Sequence, residues 1–269
     1  MSRLLEALAS VAGVYDLAQP LSTETPHSPN HPPFRMSLMR RHGDMVREDG
    51  SSAANEMFVT GGHTGTHVDA LAHVSYKGKL YDDVSAEDAQ RGGRFKKHGV
   101  DMMEPVVCRG VLLDVAGLQG ADVLPGGYGI TEDDLAAAAE KARVEVRLGD
   151  VVLVRSGWSR NFDDAEAFLG HESGVPGPTE EAARWLAERG VRATGAETIA
   201  YEQIKPEVGH ALLPVHRLLL VEYGVHIIEV MNLSEIAAAG VHEFVFVLAP
   251  LKIVGGTGSP VRPLAVVER

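Results

Sequence analysis

One stretch of the sequence holds three histidines and an aspartate within a short segment. It reads Gly61-Gly62-His63-Thr64-Gly65-Thr66-His67-Val68-Asp69-Ala70-Leu71-Ala72-His73. Each of its three glycines costs roughly 1 kcal/mol relative to alanine in a helix, and the β-branched threonines disfavour a helix further. The stretch is therefore predicted to be extended, because its composition opposes a helix throughout.

Extended backbone places every second side chain on the same face. His63, His67 and Asp69 would then share one face, and Gly65 would leave room for an ion between its neighbours. Neutral imidazole and carboxylate are ligands that Zn²⁺ and Mn²⁺ accept, whereas cages made only of oxygen suit Ca²⁺ and Mg²⁺. The spacing predicts a site for a transition-metal ion.

His73 follows Asp69 by four residues. If a helix begins at Ala70, the two side chains are neighbours across its first turn, which would place a titratable base beside the ion. The alternative interpretation is that these histidines are hydrogen-bonded core residues. The density of ligand-type side chains in so short a stretch favours the metal site.

The composition restricts the class of protein. A chain of 269 residues with 45% hydrophobic content can bury one large core, so we expect one domain over residues 1–269. The net charge of −12 and the absence of long basic clusters argue against binding to nucleic acid or an anionic membrane.

The single cysteine, Cys108, excludes an internal disulfide. Residues 1–13 are predicted to form a short amphipathic helix, and no apolar run has membrane-spanning length, so we expect a cytoplasmic protein.

Predicted strands and helices alternate along the rest of the chain, which indicates the mixed α/β class. Residues 106–115 and 151–155 are apolar runs typical of buried strands. Asp114, near the end of the first run, is either a turn residue or a hydrogen-bond partner of a ligand histidine. Thr131 and Thr179 are predicted helix starts. Residues 213–229 predict a helix that ends near Gly224, followed by a strand that ends in a carboxylate.

The pattern His-x-Gly-Thr-His-x-Asp-x-x-x-His resembles the signature of the metal-dependent cyclase-like hydrolase family, which includes bacterial kynurenine formamidases and isatin hydrolases. Further matches follow in the family's order over residues 15–266. The resemblance implies a swivelling β/β/α-type fold in which helices flank a central mixed sheet or barrel. It also implies a homodimer or homotetramer.

The same resemblance implies a fuller set of ligands. His216 and Glu229 match the family's distal histidine and glutamate, which join His63, His67 and Asp69 around one or two ions of Zn²⁺ or Mn²⁺. The family's formamidases suggest two ions, and its isatin hydrolases one Mn²⁺.

The resemblance gives no single role to several other residues. Glu197 stands where the family usually has aspartate, so its role is open. The early loop that contains His31 and Phe34 would border the substrate pocket, or would be an exposed loop. His210 and His226 match no family ligand and are expected on the surface or in the core.

The implied activity is hydrolysis of a small amide, lactam or ester by metal-activated water, with His73 as the catalytic base that passes a proton to the leaving atom. Formamidases usually have proline where this chain has Leu71, which favours a cyclic amide or lactone over an N-formyl arylamine. Two alternatives remain: a cyclase or dehydratase that uses the metal as a Lewis acid, and a non-catalytic, metal-stabilised ligand-binding protein.

Overall fold

The computed structural model describes residues 11–268, which contain thirteen strands. They are β1 Val11–Asp16, β2 Arg35–Arg40, β3 Asn55–Val59, β4 His67–Asp69, β5 Val106–Asp114, β6 Gly129–Ile130, β7 Val151–Arg155, β8 Gly177–Pro178, β9 Ala193–Ala196, β10 His226–Glu229, β11 Glu243–Leu248, β12 Gly258–Pro260 and β13 Leu264–Glu268.

Seven helices lie between these strands in the described part of the chain. They are α1 Ala86–Ala89, α2 Val115–Leu118, α3 Glu132–Ala142, α4 Ala165–Leu169, α5 Glu180–Glu188, α6, which begins as Pro214–His216 and continues as the π-helix Arg217–Tyr223, and α7 Ser234–Ala238. Short 3₁₀ turns occupy Tyr81–Asp83, Val100–Met102, Trp158–Asn161 and Gly209–Ala211. Within residues 11–268, no helix is both long and apolar enough to cross a bilayer.

Nine of the strands form one mixed sheet in the order β1-β13-β11-β5-β7-β9-β10-β4-β12. The four central strands β5, β7, β9 and β10 are parallel, and antiparallel strands extend the sheet on both sides. Helices connect the parallel strands, as a parallel pair requires. The prediction of a mixed α/β fold with a central mixed sheet flanked by helices is confirmed.

Both faces of the central strands are buried. Along β7, Val152 and Val154 pack with helices α3, α5 and α6 on one face, whereas Val151 and Leu153 pack in a second apolar cluster on the other. The same alternation separates Ile227 from Ile228 on β10. Burial on both faces explains why these strands are continuous apolar runs in the sequence.

The predicted helix starts are confirmed by hydrogen bonds. The hydroxyl of Thr131 accepts from the amide of Asp134, whose carboxylate accepts in return from the amide of Thr131. The hydroxyl of Thr179 accepts from the amide of Ala182. Gly224 ends α6 with a left-handed backbone, as the sequence predicts.

Two local predictions are wrong. The stretch before His67 is a turn, and only His67–Asp69 is a strand. No helix begins at Ala70, because residues 71–73 also form a turn, closed by a hydrogen bond from the His73 amide to the Ala70 carbonyl. Of the two alternatives for Asp114, the turn residue is the one observed: it ends β5 and caps α2, and its carboxylate accepts from Arg155 and from the amide of Gly117. The predicted N-terminal helix lies outside the described residues, except that residues 11–13 belong to β1.

Candidate metal centre

Three predicted ligands share one face of the sheet because of the strand register. In the antiparallel pair of β4 and β10, His67 lies opposite Glu229 and Asp69 lies opposite Ile227. Ile227 belongs to the apolar cluster on the helix-covered face, so all three polar side chains point to that side. His67 Nε2 is 3.3 Å from Glu229 Oε2 and 3.5 Å from Asp69 Oδ1.

His63 reaches the same centre from the turn before β4. Its Nδ1 is 2.7 Å from Asp69 Oδ1, and its Nε2 is 2.9 Å from the hydroxyl of Thr257. The imidazole lies directly over Gly258 of β12, where a Cβ atom would be 2.5 Å from His63 Cε1. Gly258 therefore provides the close approach that the ring needs, and Thr257 is a contact that sequence reasoning missed.

Gly65 has a different role from the predicted one. Its backbone is left-handed, with φ +66°, and a Cβ would be 2.9 Å from Leu21 rather than in an ion cavity. The turn aims its carbonyl at His67, whose Nδ1 donates to it over 2.8 Å. Gly65 thus fixes the orientation of the His67 ring, because the bonded Nδ1 leaves Nε2 free to face the carboxylates.

His216 enters from the first turn of α6. Its Nε2 is 3.1 Å from Glu229 Oε1 and 3.6 Å from Asp69 Oδ2. The other ring nitrogen, Nδ1, donates to Glu202 over 2.8 Å. Glu202 is 1% exposed and also accepts from the backbone amides of Val215 and His216, so it satisfies helix-start amides that lack partners within α6.

The donor set fits a divalent cation. Asp69 Oδ2 and Glu229 Oε1 are fully buried, yet neither has an aligned hydrogen-bond partner among the described residues. A buried carboxylate oxygen without a donor is costly, and a cation would compensate that cost. Two sets of ligand atoms lie close enough to hold an ion, and Asp69 belongs to both of them. They are His63, His67 and Asp69, and Asp69, His73 and His216.

Charge coupling keeps the carboxylates ionised. Burial by itself raises the pKa of Asp69 and of Glu229, but the surrounding imidazoles outweigh it and lower both pKa values. In turn, burial lowers the pKa of His216, while the carboxylates of Glu202 and Glu229 outweigh burial and raise it well above its ordinary value. The centre is therefore prepared for positive charge, which a proton or a metal ion supplies.

His73 has the properties of a neutral base beside this centre. Its ring stacks on His63, with 3.9 Å between the ring centroids. Burial, together with the positive charge of neighbouring histidines, lowers the pKa of His73 to about 4 despite the opposing effect of Asp69. The imidazole is thus unprotonated at pH 7. The structure brings it together with all five predicted ligands, although in a turn rather than on a helix.

A small cavity opens onto these side chains. Its volume is about 40 Å³, and a neighbouring cavity of about 100 Å³ shares His210 with it. His31 lines the first cavity and stacks on His63, with 5.0 Å between the ring centroids. His210 is therefore a pocket residue rather than the surface or core residue expected. His226 is half-buried, and its Nδ1 donates to the Asp69 carbonyl. Phe34 is buried.

Two left-handed residues flank the carboxylates of the centre. Tyr201 and Val230, both with φ +56°, directly adjoin Glu202 and Glu229. This backbone costs a residue with a side chain roughly 1–2 kcal/mol. Hydrogen bonds hold it, since the Val230 carbonyl accepts from Thr66 and its amide donates to Thr198. Strain of this kind concentrates at functional sites.

Glu202→Gln is expected to weaken metal binding by roughly 10–100-fold, which is the effect of losing an outer partner of a ligand histidine. The amide keeps the size of the side chain but removes the negative charge that fixes the His216 ring and its tautomer. Isothermal titration calorimetry of the metal-free wild type and variant with Mn²⁺ or Zn²⁺ measures the change in metal affinity.

Glu197→Gln is the matched control. Glu197 is equally buried, but it accepts from Ser156 and Ser159 and bonds to none of the site histidines. This variant should lower the melting temperature without changing metal affinity. Equal losses of affinity in the two variants would show that Glu202 acts through general stability alone.

The chain is similar to known proteins in sequence and in fold. Residues 15–203 match the model of the Cyclase family, described as "Putative cyclase". The isatin hydrolase of Roseibium aggregatum is 29% identical over 270 residues, which cover 97% of this chain and 94% of that protein.

Solved structures of related proteins have the same fold. The crystal structure of a novel cyclase matches with a TM-score of 0.85 and 29% identity, covering 98% of this chain and 92% of that one. Isatin hydrolase A from Ralstonia solanacearum matches with a TM-score of 0.76 and 28% identity, covering 100% of this chain and 98% of that one. These matches confirm the resemblance found in the histidine motif, and the chain belongs to the Cyclase family.

Proposed function

We propose that this protein is a metal-dependent hydrolase that opens a small cyclic amide or lactone. The observation that carries the proposal is the pair of buried carboxylate oxygens, Asp69 Oδ2 and Glu229 Oε1, that have no aligned hydrogen-bond donor among the described residues and face His216 Nε2 at 3.6 and 3.1 Å. The neutral imidazole of His73 lies beside them. We expect His63, His67, Asp69, His216 and Glu229 to hold one or two ions of Zn²⁺ or Mn²⁺. A bound divalent ion would supply Lewis acidity toward the carbonyl and toward water.

The protein's own residues account for proton transfer and for positioning. Because His73 is neutral at pH 7, it is able to accept the proton of an attacking water and deliver it to the leaving nitrogen or oxygen. Asp69 and Glu229 remain ionised and keep the facing imidazoles in place. His31 and His210 form walls of the cavity, where they would contact the substrate.

The size of the cavities and the family relationship favour a small substrate. The two cavities, of about 40 and 100 Å³, are smaller than usual ligand pockets of roughly 300–1,000 Å³, so they leave no room for a polymer. Two of the relatives are named isatin hydrolase, and isatin contains a cyclic amide. Leu71, where formamidases usually have proline, also favours a cyclic substrate over an N-formyl arylamine. The cytoplasmic location expected from the sequence stays a prediction.

The test is incubation of the metal-loaded protein with isatin in ¹⁸O-labelled water. Hydrolysis adds water across the carbon–nitrogen bond of the ring, so the carboxylate product gains one heavy oxygen and the nitrogen gains a proton. Mass spectrometry of the product measures the label. An N-formyl arylamine should turn over more slowly.

A product that carries no ¹⁸O would favour the cyclase or dehydratase alternative, which the family's description keeps open. Binding of isatin without any turnover would favour the metal-stabilised binding protein. Absence of both binding and turnover over a panel of small lactams and lactones would contradict the proposed substrate class.

A further inference from the structure

His67 and His216 present the same ring nitrogen to the candidate metal centre. In each ring Nδ1 donates to an acceptor outside the set of predicted ligands, which is the Gly65 carbonyl for His67 and the Glu202 carboxylate for His216. These oxygens can only accept a hydrogen bond, so in the neutral form of both rings Nδ1 carries the proton and Nε2 is unprotonated. The outer partners thus fix both rings in the tautomer that offers Nε2 to an ion.

The ring of His63 has the opposite orientation. Its Nδ1 is 2.7 Å from Asp69 Oδ1, whereas its Nε2 is 2.9 Å from the hydroxyl of Thr257. Nδ1 is therefore the nitrogen that His63 turns towards the centre. The outer partner also differs in kind, because a hydroxyl either donates or accepts a hydrogen bond, whereas the partners of His67 and His216 only accept.

The backbone on both sides of Thr257 holds its hydroxyl in this position. The Thr257 carbonyl accepts over 2.9 Å from the amide of Ala70, which directly follows β4. Two residues before Thr257, the Gly255 amide donates over 2.7 Å to the carboxylate of Asp101. Thr257 is thus bound to the strand that carries two of the ligands and, through Gly255, to a separate 3₁₀ turn.

We propose that Thr257 is a positioning residue that makes Nδ1 of His63 the metal ligand and whose hydroxyl supports the ring in both its metal-free and its metal-bound tautomer. The proposal rests on the metal centre of the proposed function, and it assigns to each ring of the centre the nitrogen that binds.

The two tautomers of His63 follow from its two neighbours. In the metal-free centre Asp69 is ionised and can only accept, so Nδ1 of His63 carries the proton and the Thr257 hydroxyl donates to Nε2. An ion binds an unprotonated ring nitrogen, so on metal binding Nδ1 loses its proton and Nε2 gains one. The ring stays neutral, and the hydroxyl changes from donor to acceptor. Thr257 therefore satisfies Nε2 in both states.

Thr257→Val tests this role because valine keeps the shape of the side chain and removes the hydroxyl. The metal-bound state then leaves the Nε2–H group of His63 without its acceptor. The affinity for Zn²⁺ should fall by roughly 10–100-fold, the usual effect of losing an outer partner of a ligand histidine. Thr257→Ser keeps the hydroxyl and should restore most of the affinity. Isothermal titration calorimetry of the metal-free proteins with Zn²⁺ measures these values.

Ser259→Ala is the matched control. Ser259 lies two residues further along, in β12, and is fully buried. Its hydroxyl accepts from the Leu251 amide and donates to the Pro260 carbonyl rather than to a site histidine. The control should lose thermal stability but keep the Zn²⁺ affinity of the wild type. Equal affinities of the wild type and Thr257→Val would overturn the proposal. Equal losses in Thr257→Val and Ser259→Ala, or a serine variant that binds no better than the valine variant, would also overturn it.

Nitrogen-15 NMR of the histidine rings identifies the ligand atom without any measurement of turnover. The ring signals of His63 are those that a His63→Gln variant lacks in the metal-free state, and they are followed as Zn²⁺ is added. In the Zn-loaded wild type, His63 should carry its ring proton on Nε2, whereas His67 and His216 should carry theirs on Nδ1. A ring proton on Nδ1 of His63 in the loaded protein would contradict the assignment.

The outcomes separate this proposal from the hydrolase function. A wild type that binds Zn²⁺ with the expected ring protonation, but opens no cyclic amide or lactone, would support the role of Thr257 and contradict the hydrolase alone. A wild type that takes up no Zn²⁺ would overturn both.

Discussion

His67→Ala is expected to remove divalent metal from the protein. Outer partners of a metal ligand are worth roughly 10–100-fold in affinity, and a ligand that faces both Asp69 and Glu229 should be worth more. In the wild type, His67 Nε2 lies within 3.5 Å of carboxylate oxygens of both residues. Plasma mass spectrometry of protein purified without chelator should find Zn or Mn in the wild type and almost none in the variant.

His242→Ala is the control for this experiment. His242 is half-buried and bonds to the Leu112 carbonyl, so its loss removes an imidazole without touching the centre. The number of metal ions per wild-type chain shows how many sites are filled, because Asp69 belongs to two overlapping ligand sets. A value near two ions per chain would indicate that both sets are filled, and a value near one would indicate a single site. If the wild type takes up no ion when metal is supplied, the metal-site hypothesis is wrong, and the histidine cluster has only a structural role.

His73→Ala is expected to reduce turnover by roughly 10²–10⁴-fold, the usual contribution of a positioned acid–base group, while the bound metal is retained. The sign of the pH effect follows from the lowered pKa of His73. A base with a pKa of about 4 stays neutral as the pH falls from 7. Protonation of His73 should therefore not limit turnover until the pH approaches 4. Activity lost in milder acid would instead follow from loss of metal, because the raised pKa of His216 lets protons compete for this ligand.

The same variant separates the two roles that the geometry allows for His73. This side chain also lies within one of the two ligand sets, with Asp69 and His216. If it is a base, the alanine variant loses turnover but keeps its metal content. If the variant loses an ion in proportion to activity, His73 is a ligand, and the proton acceptor must be sought elsewhere, first at His31 or His210 in the wall of the cavity.

Short sequence patterns predicted much of the site and of the fold. The glycines and threonines of residues 61–66 oppose a helix by propensity, and the alternation at His67 and Asp69 follows from the strand that these residues form. Apolar runs predicted the buried strands β5 and β7, because residues buried on both faces leave no polar alternation. Side-chain caps at Thr131 and Thr179 predicted helix starts, since capping acts within one turn. His216 and Glu229 needed the family resemblance, because a lone histidine on a helix carries no local signal.

Other features depend on the tertiary structure. Glu202 lies in no motif and becomes the partner of His216 only where the segment after β9 meets the start of α6. Thr257 reaches His63 across 194 residues of sequence, and His210 joins the cavity through a loop. The turn at Gly65 was predicted as a strand because local sequence does not show the distant partners of the adjoining Thr66, whose hydroxyl accepts from the Gln19 amide and donates to the Val230 carbonyl. Local sequence therefore determined most element types and three of the five ligand candidates, because propensity and alternation act over a few residues. Long-range packing decided the turns around the motif and which distant side chains orient the ligands.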